Sequence, residues 1–285
     1  MNWHETIAYI QSEPQFESLV KSAFIDRDNN WNSNAFHNSA EFKETIALIR
    51  KKAPKAKKIL DIGAGNGIAS IAFAKEGYTV TALEPDESVL VGAGAIEALA
   101  TELKLDNVSV VKNFAEEASL QPESFDVVYV RQALHHANNL NEFVANTAKF
   151  LKKGGLYVTI RDHVIFGQQD KELFLQQHPL HKFYGGENAF TEKEYETAFK
   201  LAGLAVDLKL RHFESVINYS PLSKTQLRLL PEAFKNAKRK FFGSLVETRV
   251  FNELTFALYG LLKRDIYLEE NIPGRLRTYI LRKEN

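Results

Sequence analysis

The chain has no cysteine among its 285 residues. Disulfides, thiolate metal sites and cysteine nucleophiles are therefore excluded. It also lacks a charge bias, since 36 Lys and Arg balance 36 Asp and Glu. A strong binder of nucleic acid or anionic membrane usually carries a basic excess, so neither partner is indicated. No apolar run approaches the ~18 residues of a membrane span, and the longest near-candidate, Leu254 to Leu262, is about half that. The start, Met1-Asn2-Trp3-His4-Glu5, has no basic region followed by an apolar run and does not read as a signal peptide. The expectation is a soluble cytoplasmic protein. Apolar residues make up 45% of the chain, enough for a sizeable core.

What is present is a patterned stretch, Ile59-Leu60-Asp61-Ile62-Gly63-Ala64-Gly65-Asn66-Gly67. It reads as a short buried strand running into a helix that starts near Ile68. Three glycines at alternate positions tolerate positive φ and let a bound molecule approach the backbone. A helix N-terminus presents unpaired N–H groups and a partial positive charge, which suits the carboxylate of an amino-acid-like ligand. A tight strand-to-helix turn can need glycine with no ligand, so the loop alone is a weak signal. It is strengthened by Thr79 to Leu83, a second strand that ends in Glu84. A carboxylate about twenty positions after such a loop can accept hydrogen bonds from both hydroxyls of a ribose.

Together these residues resemble motif I of the class I S-adenosylmethionine-dependent methyltransferases, with Glu84 where that family keeps its ribose-binding acid. The order G-A-G-N-G departs from the dinucleotide fingerprint G-x-G-x-x-G, whose third glycine would fall near Ala69 or Ser70. The resemblance spans about Lys58 to Asp162 and points to the small-molecule, methyltransferase type 11-like branch. It implies S-adenosylmethionine as cofactor and S-adenosylhomocysteine as product. It places Asp61, Gly63, Ala64, Gly65, Asn66 and Gly67 at the methionine part. Glu84 would hold the ribose, Pro85 and Asp86 would line the adenosine, and Asn113, Phe114, Ala115 and Glu116 would border the adenine. Arg131, Gln132 and Ala133, after the fourth strand, would run along the cofactor.

Strand candidates at 58–62, 79–83, 108–112, 125–130 and 155–161 alternate with helices at 67–76, 88–104 and 140–152. This alternation predicts a parallel sheet covered on both faces, with ligands beyond the carboxyl ends of the strands. A sixth strand is predicted at 204–210 and a seventh at 276–282. Thr191 and Glu194 predict a capping box for the helix that Gly203 closes. The expected fold is α/β: a Rossmann-like, seven-stranded, mostly parallel sheet with helices on both faces. The expected domains are an N-terminal helical arm (1–55), the cofactor-binding domain (56–212 and 276–285) and a helical cap inserted before the last strand (213–275). In the arm, Asp26 to Asn34 reads as polar and turn-rich.

His135 and His136 are the candidate catalytic residues, because imidazole titrates near neutral pH and can act as a general base. Adjacent side chains diverge, so only one is expected to face the pocket, and no carboxylate at ligand spacing suggests a metal. His178 to Tyr184 reads as loop packing. Trp31, His37, Arg161 and His163 are candidate acceptor-binding residues. The expected reaction is methylation of a small-molecule acceptor, at oxygen, nitrogen or carbon, by a monomer or homodimer. The alternatives are a non-catalytic cofactor-binding regulatory or assembly protein, a nicotinamide-dependent oxidoreductase, and methylation of protein or RNA. The chain has no Asn/Asp-Pro-Pro-Tyr/Phe motif of the kind used on base or glutamine amino groups.

Overall fold

Alternation along the central strands decides the architecture. The strands are β1 (Lys58–Ile62), β2 (Thr79–Leu83), β3 (Val108–Val111), β4 (Phe125–Arg131), β5 (Leu151–Ile165), β6 (Phe190–Thr191), β7 (Leu204–Leu210) and β8 (Arg275–Lys283). Ile59, Val127, Tyr129, Val158 and Ile280 fall in one apolar core. Their neighbours Leu60, Val128, Val130, Tyr157 and Leu281 fall in the other. Successive side chains of a strand point to opposite faces, so a strand apolar at every position must be covered on both.

The computed structural model describes residues 1, 3–223, 238–261, 269 and 272–284. Its helices are α1 (Trp3–Ser12), α2 (Glu17–Ser22), α3 (Asn29–Asn38), α4 (Ala40–Lys52), α5 (Ile68–Lys75), α6 (Ala93–Glu102) and α7 (Leu140–Phe150), followed by α8 (Gln168–Gln177), α9 (His181–Tyr184), α10 (Glu192–Leu201), α11 (Val216–Tyr219) and, in the expected cap, α12 (Arg249–Leu261). Phe36 of α3, Phe42 and Ile46 of α4, and Phe73 of α5 cover one face. Phe143 and Val144 of α7 and Tyr195 and Phe199 of α10 cover the other. The sheet order is β3-β2-β1-β4-β5-β8-β7, with β6 beside β5. β1 to β5 run parallel, and β8 lies antiparallel between β5 and β7. The seven expected strands are all present, and the two-residue β6 is an addition.

Three boundaries differ from expectation, each for a local reason. The helix expected at 88–104 begins at Ala93, because Asp86 Oδ1 accepts from the Ser88 amide and Ser88 Oγ from that of Val91. Such side-chain bonds hold the backbone in a turn. Only the first part of Asp26 to Asn34 is irregular: α3 starts at Asn29, with the Asp28 carboxylate accepting from the Trp31 amide at 2.8 Å as N-cap. β5 runs past residue 161 to Ile165. A bulge at Arg161, with φ +60°, absorbs the irregularity instead of ending the strand. The Thr191–Glu194 capping box forms as predicted, and Gly203 follows with φ +70°. Of the expected cap, 224–237, 262–268, 270 and 271 lie outside the described residues.

Gly67 caps α5 with φ +80°, and a Cβ there would sit 2.8 Å from Ile96. Strain and overpacking act together, so Gly67→Ala is expected to cost about 2 kcal/mol. Calorimetric melting checks this; an unchanged melting temperature would show that the turn relaxes freely.

Candidate active site

β1 delivers the chain into the glycine turn at its carboxyl end, and β2 ends beside it at Glu84. Gly63 and Gly65 have φ of +64° and +55°. A Cβ on Gly63 would lie 2.5 Å from that of Ala133, so only glycine lets β1 and the turn after β4 meet. The Glu84 carboxylate is 7% exposed. One oxygen accepts from the Gly65 amide at 2.7 Å and the other from the Asp86 amide at 2.9 Å. Burial dominates these bonds and pushes its pKa up to about 7. Each oxygen keeps a lone pair, and Glu84 lines a cavity of about 400 Å³. That size suits a small-molecule site.

Gly63, Gly65, Pro85, Asp86 and Gln132 share this wall with Glu84, and Ala133 stands beside them. Asn113, Phe114, Ala115 and Glu116, after β3, border the same cavity. Phe114 is 55% exposed, an apolar ring left open at a cavity mouth. Gln132 adopts φ +49°, an uncommon backbone state for a residue with a side chain and one that clusters at binding sites.

A second cavity of about 240 Å³ adjoins the first, sharing Trp3, Gly63, Gly65, Gln132 and His136. Asp61, Ala64, Asn66 and Arg131 line it instead. Its roof is the arm, with Ile7, Ile10, Leu19 and Ile25. The arm is pinned there by Trp3 against Tyr184 and Tyr9 against Phe183, with ring centres 5.0 and 5.1 Å apart. The opposite end of the cavity carries His135, His136, His163, His178 and Glu187. His135 is buried and held by Asp162 at 3.0 Å. Burial opposes its charge, but Asp162 and Glu187 outweigh it and hold the pKa up to about 9. His136 lines both cavities, and burial followed by the neighbouring His135 pushes its pKa down to about 4.

Several predicted residues have other duties. Asp61 is fully enclosed, accepts from Ser70 at 2.6 Å, and is pushed up to about 6 by burial. Gly67 borders neither cavity and serves the turn to α5. Arg131 donates to both oxygens of Glu41, at 2.6 and 3.2 Å. Arg161 is folded inward onto the carbonyls of Ile217 and Ser220 and lines neither cavity. Trp31 stands outside both, under the Arg27 guanidinium. His37 pairs with Glu76 at 2.7 Å on a different face. Of the four acceptor candidates, only His163 reaches the cavities.

Residues 33–209 match the model of a family described as a methyltransferase domain. The chain belongs to that family. Among curated relatives of this methyltransferase domain, a ubiquinone biosynthesis O-methyltransferase of Photobacterium profundum is 39% identical over 99 residues, covering 35% of this chain and 41% of that protein. The chain thus spans less than half the length of the curated relatives it matches. The geranyl diphosphate C-methyltransferase of Streptomyces coelicolor, solved with Mg2+, geranyl diphosphate and S-adenosyl-L-homocysteine, superimposes with a TM-score of 0.57 at 13% identity, over 85% of this chain and 79% of that one. The cyclase SpnF superimposes with a TM-score of 0.53 at 14% identity, over 85% and 81%. Likeness at that level establishes the fold, and the fold hosts more than one chemistry.

Two parts of the site were missed from the methyltransferase-domain sequence. Trp3, from a segment with no motif, and Tyr184, from the cluster read as loop packing, line the larger cavity. Glu187 lies in an irregular Gly-Gly-Glu-Asn stretch that nothing marks out, although the His178 to Tyr184 cluster stood just before it. Among the described residues no helix is long and apolar enough to cross a membrane.

Proposed function

We propose that the protein transfers the methyl group of S-adenosylmethionine to a hydroxyl of a small, largely apolar acceptor. The observation that carries this reading is Glu84: a buried carboxylate with both oxygens aimed by backbone amides, on the wall of a glycine-floored cavity. The residues present fit the cofactor. A carboxylate with two free lone pairs suits a ribose diol, Phe114 and Ala115 suit a purine face, and Gly63 and Gly65 admit an amino-acid tail.

The cofactor's sulfonium supplies an activated methyl group. The chain's own residues have to bind, orient and exclude water. Glu84 and the glycine turn fix the donor in the larger cavity. The arm, through Ile7, Ile10 and Ile25, offers an apolar wall to the acceptor in the smaller one. The histidine end of that cavity offers the polar groups that a hydroxyl would meet. The matched relatives are O-methyltransferases, which supports oxygen over nitrogen or carbon.

The test is transfer of labelled methyl from S-adenosylmethionine to a panel of phenolic and aliphatic alcohols, amines and carbon acids. Turnover confined to hydroxyl acceptors is expected. Cofactor binding without turnover on any acceptor would favour the non-catalytic reading. A melting temperature raised by a nicotinamide dinucleotide and not by S-adenosylmethionine would favour an oxidoreductase.

A further inference from the structure

The histidine end of the smaller cavity is assembled from four separate segments. His135 and His136 follow β4, Asp162 and His163 lie on β5 beyond its bulge, His178 follows α8, and Glu187 precedes β6. The orientation of each group is fixed from behind. His135 Nδ1–H donates to the Asp162 carboxylate at 3.0 Å. His136 Nδ1–H donates to the Gly186 carbonyl at 2.9 Å. An oxygen acceptor at each Nδ1 fixes a ring proton there, so Nε2 is the atom each ring can offer to a metal, once any proton on it is displaced. Both Nε2 atoms face the same carboxylate oxygen, Glu187 Oε2, at 3.5 and 4.0 Å. The other oxygen of Glu187 accepts from the Tyr184 hydroxyl at 2.8 Å.

Three potential ligand atoms therefore converge: two imidazole Nε2 atoms and one carboxylate oxygen, all within 4.8 Å of one another. Glu187 is 7% exposed, and its Oε2 has no hydrogen-bond partner. His178 Nδ1 is also buried without one and lies 3.6 Å from the other Glu187 oxygen. A proton on His135 Nε2 would answer only part of this. A charge-assisted N–H···O bond closes to ~2.7–2.9 Å, well inside the 3.5 Å found here. His136 would still point a lone pair at a carboxylate. A cation at the centre answers both Nε2 atoms and Glu187 Oε2 together. Metal–ligand bonds of ~2.0–2.1 Å place tetrahedral ligand atoms about 3.3 Å apart, so a bound ion would draw these atoms inward from 3.5 Å, 4.0 Å and at most 4.8 Å.

We infer that His135, His136 and Glu187 form a binding site for one divalent transition-metal ion, of the zinc, cobalt or iron class, at the acceptor end of the active site. Two imidazoles and a carboxylate, with no thiolate in the chain, select borderline first-row ions over calcium or magnesium. Asp162, the Gly186 carbonyl and Tyr184 are the outer partners that hold the ligands in orientation. A position remains open toward the cavities through His136, which lines both. Resting on the methyltransferase reading, the ion's role is to take the acceptor's hydroxyl at that position and lower its pKa. The hydroxyl gives its proton to water, its oxygen bonds the methyl carbon, and the sulfur–methyl bond breaks with its electron pair returning to sulfur.

The test uses the full chain, stripped with a chelator and titrated with Zn2+ alone by calorimetry and with Co2+ alone by visible absorption. One equivalent of Zn2+ and visible bands of a low-coordinate Co2+ are expected. Glu187→Gln and His136→Gln should each weaken binding at least 100-fold. His136 is partly open to the cavity, so its variant tests the site even if the buried Glu187 variant fails to fold. Glu84→Ala should bind metal like the wild type. No saturable Zn2+ binding by the wild type, or equal binding by His136→Gln, overturns the site. If that happens while S-adenosylmethionine still binds, the methyltransferase reading stands without the metal. Metal binding with no affinity for S-adenosylmethionine would support the site and sink that reading.

Discussion

Glu84→Ala is expected to lower the affinity for S-adenosylmethionine by about 100- to 10,000-fold. The estimate follows from two hydrogen bonds to an ionised acceptor, each contributing ~1.5–3 kcal/mol. The folded chain should survive the change. The Gly65 and Asp86 amides that Glu84 now accepts from border an open cavity, where water can take its place. The same residue gives the binding a pH dependence. Its pKa stands at about 7 because burial penalises the charged form. Ribose hydroxyls donate to the carboxylate and so favour the ionised state, which means binding releases a proton below pH 7. Affinity should rise with pH, by up to about tenfold per unit below 7, and level off above. Calorimetry in buffers of different ionisation enthalpy counts that proton directly. A pH-independent affinity, or an alanine variant equal to wild type, would remove Glu84 from the site.

The second large effect is expected at Glu41, on α4. Its carboxylate is 1% exposed and receives two bonds from Arg131, with Arg161 3.5 Å away. Both guanidiniums are largely enclosed. Burial disfavours the charge on each, yet Glu41 more than offsets this for Arg131, whose pKa is raised, while that of Arg161 is lowered. Removing one carboxylate thus leaves two buried cations without the anion they share, with Asp61 the remaining acid near Arg131. Breaking a buried pair costs about 3–5 kcal/mol. For a chain of this size that is a fall in melting temperature of roughly 10 °C. Glu41→Gln keeps the shape and one acceptor, so its loss should be smaller than that of Glu41→Ala. A loss below about 1 kcal/mol for the alanine variant would mean that water reaches the cluster and screens it.

The arginine cluster also shows where reading the sequence stops. Strand positions, the glycine turn and Glu84 were legible because each rests on a local pattern: period-two burial, positive φ, or a carboxylate at a strand end. Arg131 sits at the right strand end, but its partner Glu41 comes from ninety residues earlier, and no spacing rule could pair them. Arg161 was expected to face the acceptor, but the bulge in β5 turns it inward. Trp31 and His37 are an aromatic and a histidine in the right arm, yet α3 sets both away from the two cavities, while Trp3, Ile7 and Ile10 of α1 line the smaller one. Glu187 is the sharpest case. Its neighbours in sequence are turn residues, and its chemistry exists only through His135 and His136, fifty residues away.

The most direct measurement is a crystal structure of the chain soaked with S-adenosylhomocysteine. The account predicts density in the cavity of about 400 Å³, with both ribose hydroxyls on Glu84, the purine between Phe114 and Ala115, and the amino-acid tail over Gly63 and Gly65. A nucleoside seated elsewhere, or that cavity closed by its own side chains with Glu84 bonded only to backbone amides, would contradict it.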